Sequence, residues 1–203
     1  LRNNLAYVSV AAVPLFFGAA AVGDVLVVTI YSNEFTQAGV FIAGLALFRL
    51  VESQDRVLWA TIHGLDHPEQ NLRIALVRFL LNLALGVVLF FAVGPIGVVI
   101  ATVVAIAVGY AIRLYVVGVE YDLPVLPRPL FEQLACGFVM WAGVYGTRRA
   151  VGFPSLLGFP SWLTVGVYVA FGGVLYFAAL VAISRDFRLT VGNIAGDIVK
   201  SLG

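Results

Sequence analysis

The hydrophobic pattern of this chain is one of long apolar runs separated by short polar breaks. From Phe79 to Ile112 there are 34 residues without a formal charge, bounded by Arg78 and Arg113 and interrupted near the middle by Gly94-Pro95-Ile96-Gly97. As a single helix the run would extend roughly 50 Å, well beyond the ~30 Å hydrocarbon core of a bilayer. Broken at Gly94-Pro95 it gives two spans of about twenty residues, because proline removes a backbone donor and turns the residue before it away from helix. The break is expected to be a helical hairpin turn at the membrane surface.

The same reading along the whole chain gives about six spans, near residues 5–30, 37–62, 71–92, 97–117, 133–151 and 162–183. The runs lack the two-residue alternation of barrel strands, and backbone groups in lipid must be satisfied internally, so helices are the required form. Composition agrees: 62% of residues are hydrophobic, 11% are charged and mean hydropathy is +1.02, whereas soluble domains carry about 25% charged residues. The expected fold is an all-α polytopic transmembrane helix bundle in a cell membrane. A lone cysteine, Cys136, in an apolar context excludes a disulfide framework and reads as structural. A net charge of +1 singles out no partner.

Arginine placement sets the expected orientation. Arg2, Arg73, Arg78, Arg113, Arg128, Arg185, Arg188 and Lys200 fall on one side and only Arg148 and Arg149 on the other, which places both termini in the cytoplasm. Residues 1–117 read as a four-helix unit, 118–132 as a stiff cytoplasmic linker with Pro124, Pro127 and Pro129, and 133–183 as a terminal helix pair. Residues 184–203 read as an amphipathic tail along the inner membrane surface, with Phe187, Val191, Ile194, Ile198 and Leu202 on one face. The outer loop GFPSLLGFPSW repeats GFPS. The opening LRNNLAYVSV has no initiator methionine and no charged leader with a cleavage site, so the chain is expected to be a piece of a longer protein.

The candidate site lies on the second span. Arg49, Glu52, Arg56 and His63 share one helical stripe, with Asp55 at its flank and Trp59 beside it. A charge at the bilayer centre costs at least ~2.5 kcal/mol, so Arg49, near mid-depth, must face protein or water rather than lipid. The structural reading is an intramembrane network in which Glu52 pairs with Arg56 and Arg49 bonds to a neighbouring helix. The functional reading is a binding site for an anion, since guanidinium forks take phosphate oxygens in bidentate fashion and stay protonated. Arg49, Glu52 and Arg56 are the substrate-binding candidates, with Asp55, Arg78 and Asn82 secondary; Glu52 or Asp55 as a coupling-ion site is the weaker alternative.

Other polar positions have plainer readings. Arg73, Arg78 and Arg113 sit near cytoplasmic helix ends and read first as orientation signals and headgroup contacts. Asp24 is expected to cap a short helical continuation, VLVVTIY, in preference to binding an ion. Asn82 is expected to hydrogen-bond between helices. His63 and His67 stand four apart, but Gly64 and Pro68 break the helix that would align them, and Pro68-Glu69 reads as the first turn of the third span. No metal site and no cofactor are expected. Gly97, Ala101, Ala105 and Gly109 form a ridge of small side chains that lets another helix approach, either for packing alone or as a rocking seam.

Taken in order, these features resemble a known family. Residues 5 to 117 carry a proline-bearing first helix ending in Tyr31-Ser32-Asn33-Glu34-Phe35, a charged second helix and a short Gly-Leu link. A helix with internal Asn82 and a Gly-x-x-Gly turn followed by Ala101-Thr102 complete the series. The stretch resembles the C-terminal half of Wzx-type polysaccharide flippases, in the superfamily that includes multidrug extruders and the lipid II flippase. Ser32 stands where such proteins often have glycine. Residues 118–203 match only in pattern, as the final two helices. The resemblance implies one lobe plus terminal helices of a two-lobe transporter that moves an isoprenoid-linked saccharide from the inner to the outer leaflet. Its partners would be that lipid-linked saccharide, membrane lipids and the missing N-terminal lobe, with no nucleic acid among them.

Three function classes follow: a glycolipid flippase, a cation-coupled small-molecule exporter of the same superfamily, and a membrane-embedded enzyme. The arginine-led stripe favours the first, since a cation exporter is expected to line its cavity with carboxylates. The chain contains no DxD, GxSxG, HExxH or P-loop pattern, so no catalytic residue and no enzyme activity are expected.

Overall fold

The computed structural model describes residues 1–31, 33–35, 38–123, 128–151, 161–184 and 187–188. Among them are six α-helices and no strand: α1 (Arg2–Tyr31), α2 (Ala38–Gly64), α3 (Pro68–Val93), α4 (Pro95–Tyr115), α5 (Arg128–Val151) and α6 (Ser161–Ile183). A short 3-10 turn, Asn33–Phe35, follows α1, and α4 runs on into a π-helical segment, Val116–Glu120. The GFPS loop, the linker prolines Pro124 and Pro127, and most of the amphipathic tail lie outside the described residues.

The expected hairpin is present. Gly94 ends α3 and begins α4 at φ +76°, a left-handed conformation that glycine adopts without strain, and Pro95 opens α4 where a missing N–H leaves nothing unsatisfied. Gly94 N–H donates to Phe90 O at 2.9 Å, and Gly97 N–H to Gly94 O at 2.9 Å. Pro68 likewise opens α3. Gly97, Ala101, Ala105 and Gly109 are all buried. Their packing role is specific: a Cβ on Gly97 would overlap the Leu89 carbonyl of α3, and one on Gly109 would meet Arg78 Cδ at 3.3 Å.

α1, α3, α4 with its extension, and α6 are each long and apolar enough to cross a bilayer. α2, of 27 residues, and α5, of 24, are equally long and run against α1; α2 departs in composition because it carries Arg49, Glu52, Asp55 and Arg56 within two turns. The order of packing is α3 on α4, α4 on α2, α2 on α1, and α1 on both α5 and α6. Two apolar clusters result. One joins Val13 and Val22 of α1 to Leu50 of α2, Cys136 and Met140 of α5, and Tyr176 of α6. The other joins Leu5, Leu58, Ile62, Ile74 and Val117. α1 is therefore shared by the four-helix part and the terminal pair. α5 is tied to it at both ends, by Gln133 Nε2 donating to Ala6 O at 3.0 Å and by Arg148 donating to Ala21 O at 2.8 Å.

Arg148 also forms an ion pair with Asp24. This corrects the expectation for Asp24. α1 continues unbroken from Arg2 to Tyr31, so no free helix start exists there for Asp24 to cap, and its carboxylate binds a guanidinium of α5 instead.

Candidate functional site

Charged residues on one helix can meet different surroundings, and those of α2 fall on two adjoining flanks. Offsets of three and seven residues put Arg49, Glu52 and Arg56 on one side. Glu52 accepts from Arg49 Nη1 at 2.6 Å and from Arg56 Nη2 at 3.1 Å. The Glu52–Arg56 pair is the expected one. Arg49, expected to bond to a neighbouring helix, pairs instead within its own helix, with Glu52 one turn away. Arg49 also lies over the Phe48 ring, 5.7 Å from its centroid. Both guanidiniums remain open: 71% of the Arg49 side chain and 72% of Arg56 are exposed. Arg49 lies eleven residues from Ala38, roughly 16 Å along the helix. Arg56 lines a broad groove of about 820 Å³ between α1 and α2, together with Asn4, Tyr7, Ser53 and Thr61. His63 extends the stripe only as an aromatic, stacked on Trp59 at 5.2 Å.

The adjoining flank of α2 is buried. Asp55 is enclosed and ion-paired with Arg113 of α4, itself only 2% exposed. Its second oxygen meets Arg78 Nη1 of α3 at 3.5 Å. Arg113 Nε donates to Asn71 Oδ1 at 3.3 Å, and Asn71 Nδ2 in turn donates to Trp59 O at 3.1 Å. One carboxylate thus draws three helices together. Arg113, expected at the headgroups, is instead the buried partner of Asp55; its position near the end of α4 concealed that the end of α4 packs into α2 and α3. Asn71 went unremarked for the same reason. In sequence it stands among Glu69, Gln70 and Arg73, so nothing local sets it apart.

Asn82 bridges helices as expected, its Oδ1 3.4 Å from Thr102 Oγ1 of α4. Gln54 is buried, and among the described residues neither of its amide atoms has a hydrogen-bond partner. His67 meets Glu69 at 3.0 Å and packs near Tyr121, and among the described residues no group of three or more metal-ligating side chains forms.

The arrangement therefore combines an open cationic stripe with an adjoining, largely buried ion cluster. The first can bind an anion; the second holds α2, α3 and α4 in register.

No family model matches the chain, and no solved structure does. Two relatives from Haloferax volcanii are similar to it. One is described as a probable flippase AglR, 27% identical over 211 aligned positions that cover 100% of this chain and 41% of the relative. The other is described as a probable low-salt glycan biosynthesis flippase Agl15, 22% identical over 176 residues that cover 87% of this chain and 36% of the relative. The chain is thus a multi-pass, all-helical membrane protein with relatives named as flippases, and it spans about two fifths of their length or less.

Proposed function

We propose that this chain is part of a flippase that carries an isoprenoid-linked saccharide from the cytoplasmic to the outer leaflet by alternating access. In this reading residues 1–117 belong to one of two lobes, 133–183 are terminal helices attached to it, and both termini are cytoplasmic. A facing lobe in the rest of the protein would close the cavity onto which α2 looks. The lobes rock to open that cavity to each side in turn, with the sugar in water and the lipid tail left in the bilayer.

The observation that carries the reading is the uncovered Arg49–Glu52–Arg56 face of α2. Two guanidiniums and one carboxylate leave one positive charge, at a depth where exposure to acyl chains is expensive. A water-filled cavity that receives a phosphate or pyrophosphate accounts for both the depth and the sign. The name of one relative, a probable glycan biosynthesis flippase, supports a glycan-bearing substrate, and that of the other supports flipping.

The alternative is a cation-coupled small-molecule exporter of the same superfamily, and it needs carboxylates available to the ion. Glu52 is engaged by two guanidiniums and Asp55 by Arg113 and Arg78, which disfavours it. The test is transport by the full-length protein in proteoliposomes, with a labelled lipid-linked saccharide against a cationic dye. Arg49→Ala is expected to abolish saccharide translocation at normal membrane abundance, and normal transport by that variant would refute the cavity assignment.

A further inference from the structure

The broad groove between α1 and α2 carries more than the guanidinium of Arg56. Ser53, Arg56, Val57, Ala60 and Thr61 recur at three- and four-residue intervals, so a single stripe of α2 forms one wall. Asn4, Tyr7 and Val8 of α1 line it too. At about 820 Å³ the groove is of the size that holds a whole small ligand rather than a single ion. Its chemistry changes along its length. Arg56 meets Glu52 at 3.1 Å, the longer of the two bonds that this carboxylate accepts, and is largely exposed, so most of its five N–H donors are left for an anion. Thr61 lies five residues on, roughly 8 Å along the helix. Its hydroxyl proton goes to Val57 O at 2.9 Å, which leaves its oxygen as an acceptor. The exposed Asn4 amide both donates and accepts. Between these polar groups the lining is apolar: Val8, Val57, the small Ala60 and the exposed Tyr7 ring.

We propose that this groove binds a glycosyl phosphate, with the phosphate on Arg56, the sugar ring against Val57, Ala60 and Tyr7, and ring hydroxyls on Thr61 and Asn4. The inference rests on the flippase reading, which supplies a lipid-linked saccharide as the source of that unit; the groove then selects its first sugar. Charge and polar capacity choose the ligand together. Arg56 is the only charged side chain among the described residues that line the groove, so it suits one phosphate group and offers a second, further along, no cation. A lone phosphate would leave the Thr61 end unused. Hydroxyls donate, and so match the acceptor that Thr61 presents, while the apolar walls take the ring's carbon face. Arg56 leans toward the start of α2, away from Thr61, which puts the phosphate at the Ser53 end and leaves room for the ring between them.

The test is calorimetric titration of the full-length protein in detergent with a panel of hexose and uronic acid 1-phosphates, against inorganic phosphate. In the wild type at least one glycosyl phosphate is expected to bind about tenfold more tightly than inorganic phosphate, the worth of one or two hydroxyl bonds. Asn4→Leu combined with Thr61→Val should erase that margin and leave inorganic phosphate unchanged, and the groove-filling Ala60→Phe should do the same. Arg56→Gln should weaken both ligands. Thr147→Val, which removes a hydroxyl bonded to its own helix on α5, should alter neither. The proposal is overturned if no glycosyl phosphate exceeds inorganic phosphate in the wild type, or if the margin survives in the Asn4→Leu, Thr61→Val variant. Proteoliposome transport separates this from the reading beneath it. Should the margin survive while a lipid-linked saccharide is moved and Arg49→Ala stops it, the groove fails and the flippase stands. Should the margin vanish as expected while no lipid-linked saccharide is moved by the wild type, the lipid-linked source is refuted and the groove belongs to a free sugar phosphate.

Discussion

Removing the Asp55 carboxylate is the most severe single change the structure offers on α2. Arg113 is almost wholly buried, and Asp55 is the group that neutralises it, with Asn71 supplying one neutral hydrogen bond. Arg78 adds a second positive charge from the same side. In Asp55→Asn two guanidiniums face each other with no anion between them, and breaking one partner out of a buried pair costs about 3–5 kcal/mol. Arg113→Leu should cost less, because Arg78 is present to approach the carboxylate left behind. In Asp55→Leu combined with Arg113→Leu both charges leave together, and buried pairs replaced by apolar groups are often close to neutral. Glu52→Gln is the contrast: its partners are exposed in this chain, where such pairs contribute only about 0.2–1 kcal/mol. The measurement is unfolding of the full-length protein in bicelles by SDS titration, arranged as a double-mutant cycle. A coupling of at least about 2 kcal/mol between positions 55 and 113 is expected. Additive effects, with Asp55→Asn within about 1 kcal/mol of the wild type, would show that the buried pair does not form.

Other positions give narrower outcomes. Gly97→Ala should destabilise the α3–α4 hairpin by roughly 1–3 kcal/mol, because the new Cβ meets backbone atoms of Leu89 that cannot yield. Gly86→Ala is the matched control, since its Cβ would stand 4.0 Å from Ala101 Cβ; equal loss of stability in both by the same titration would contradict the ridge packing. Arg148→Ala removes the bonds from α5 to Asp24 and to Ala21 O. Because the pair is partly exposed, the expected loss is modest, about 1 kcal/mol. A disulfide-trapping assay between cysteines placed at the Tyr31 end of α1 and the Val151 end of α5 should nevertheless cross-link more slowly, and an unchanged rate would count against the tie.

The relation of sequence to structure differs between elements. The hairpin at Gly94-Pro95, the start of α3 at Pro68, the buried small-residue ridge and the Asn82–Thr102 contact all follow from local chemistry: a missing donor, a left-handed turn, an absent side chain, a polar group that lipid cannot satisfy. The Arg49–Glu52–Arg56 stripe was legible for the same reason, since three- and four-residue spacings fix neighbours within one helix. Arg113, Asn71 and the Asp24–Arg148 pair were not legible as contacts. Their partners lie 58, 42 and 124 residues away in sequence, and periodicity within a helix says which residues share a face without saying which helix that face meets.

By itself, then, the sequence determined that this chain is a helical membrane protein, that it turns at Gly94-Pro95 and opens α3 at Pro68, and that α2 carries a charged stripe, because hydrophobic length and proline or glycine chemistry act within a few residues; it did not show that α5 begins at Arg128, inside the expected 118–132 linker. Only the tertiary structure decided how that charge is divided. α4 packs against α2 and seals Asp55 with Arg113, while the same helix leaves Arg49 and Arg56 uncovered. The reason is physical: the desolvation of an ion depends on what surrounds it, and its surroundings come from helices far apart along the chain.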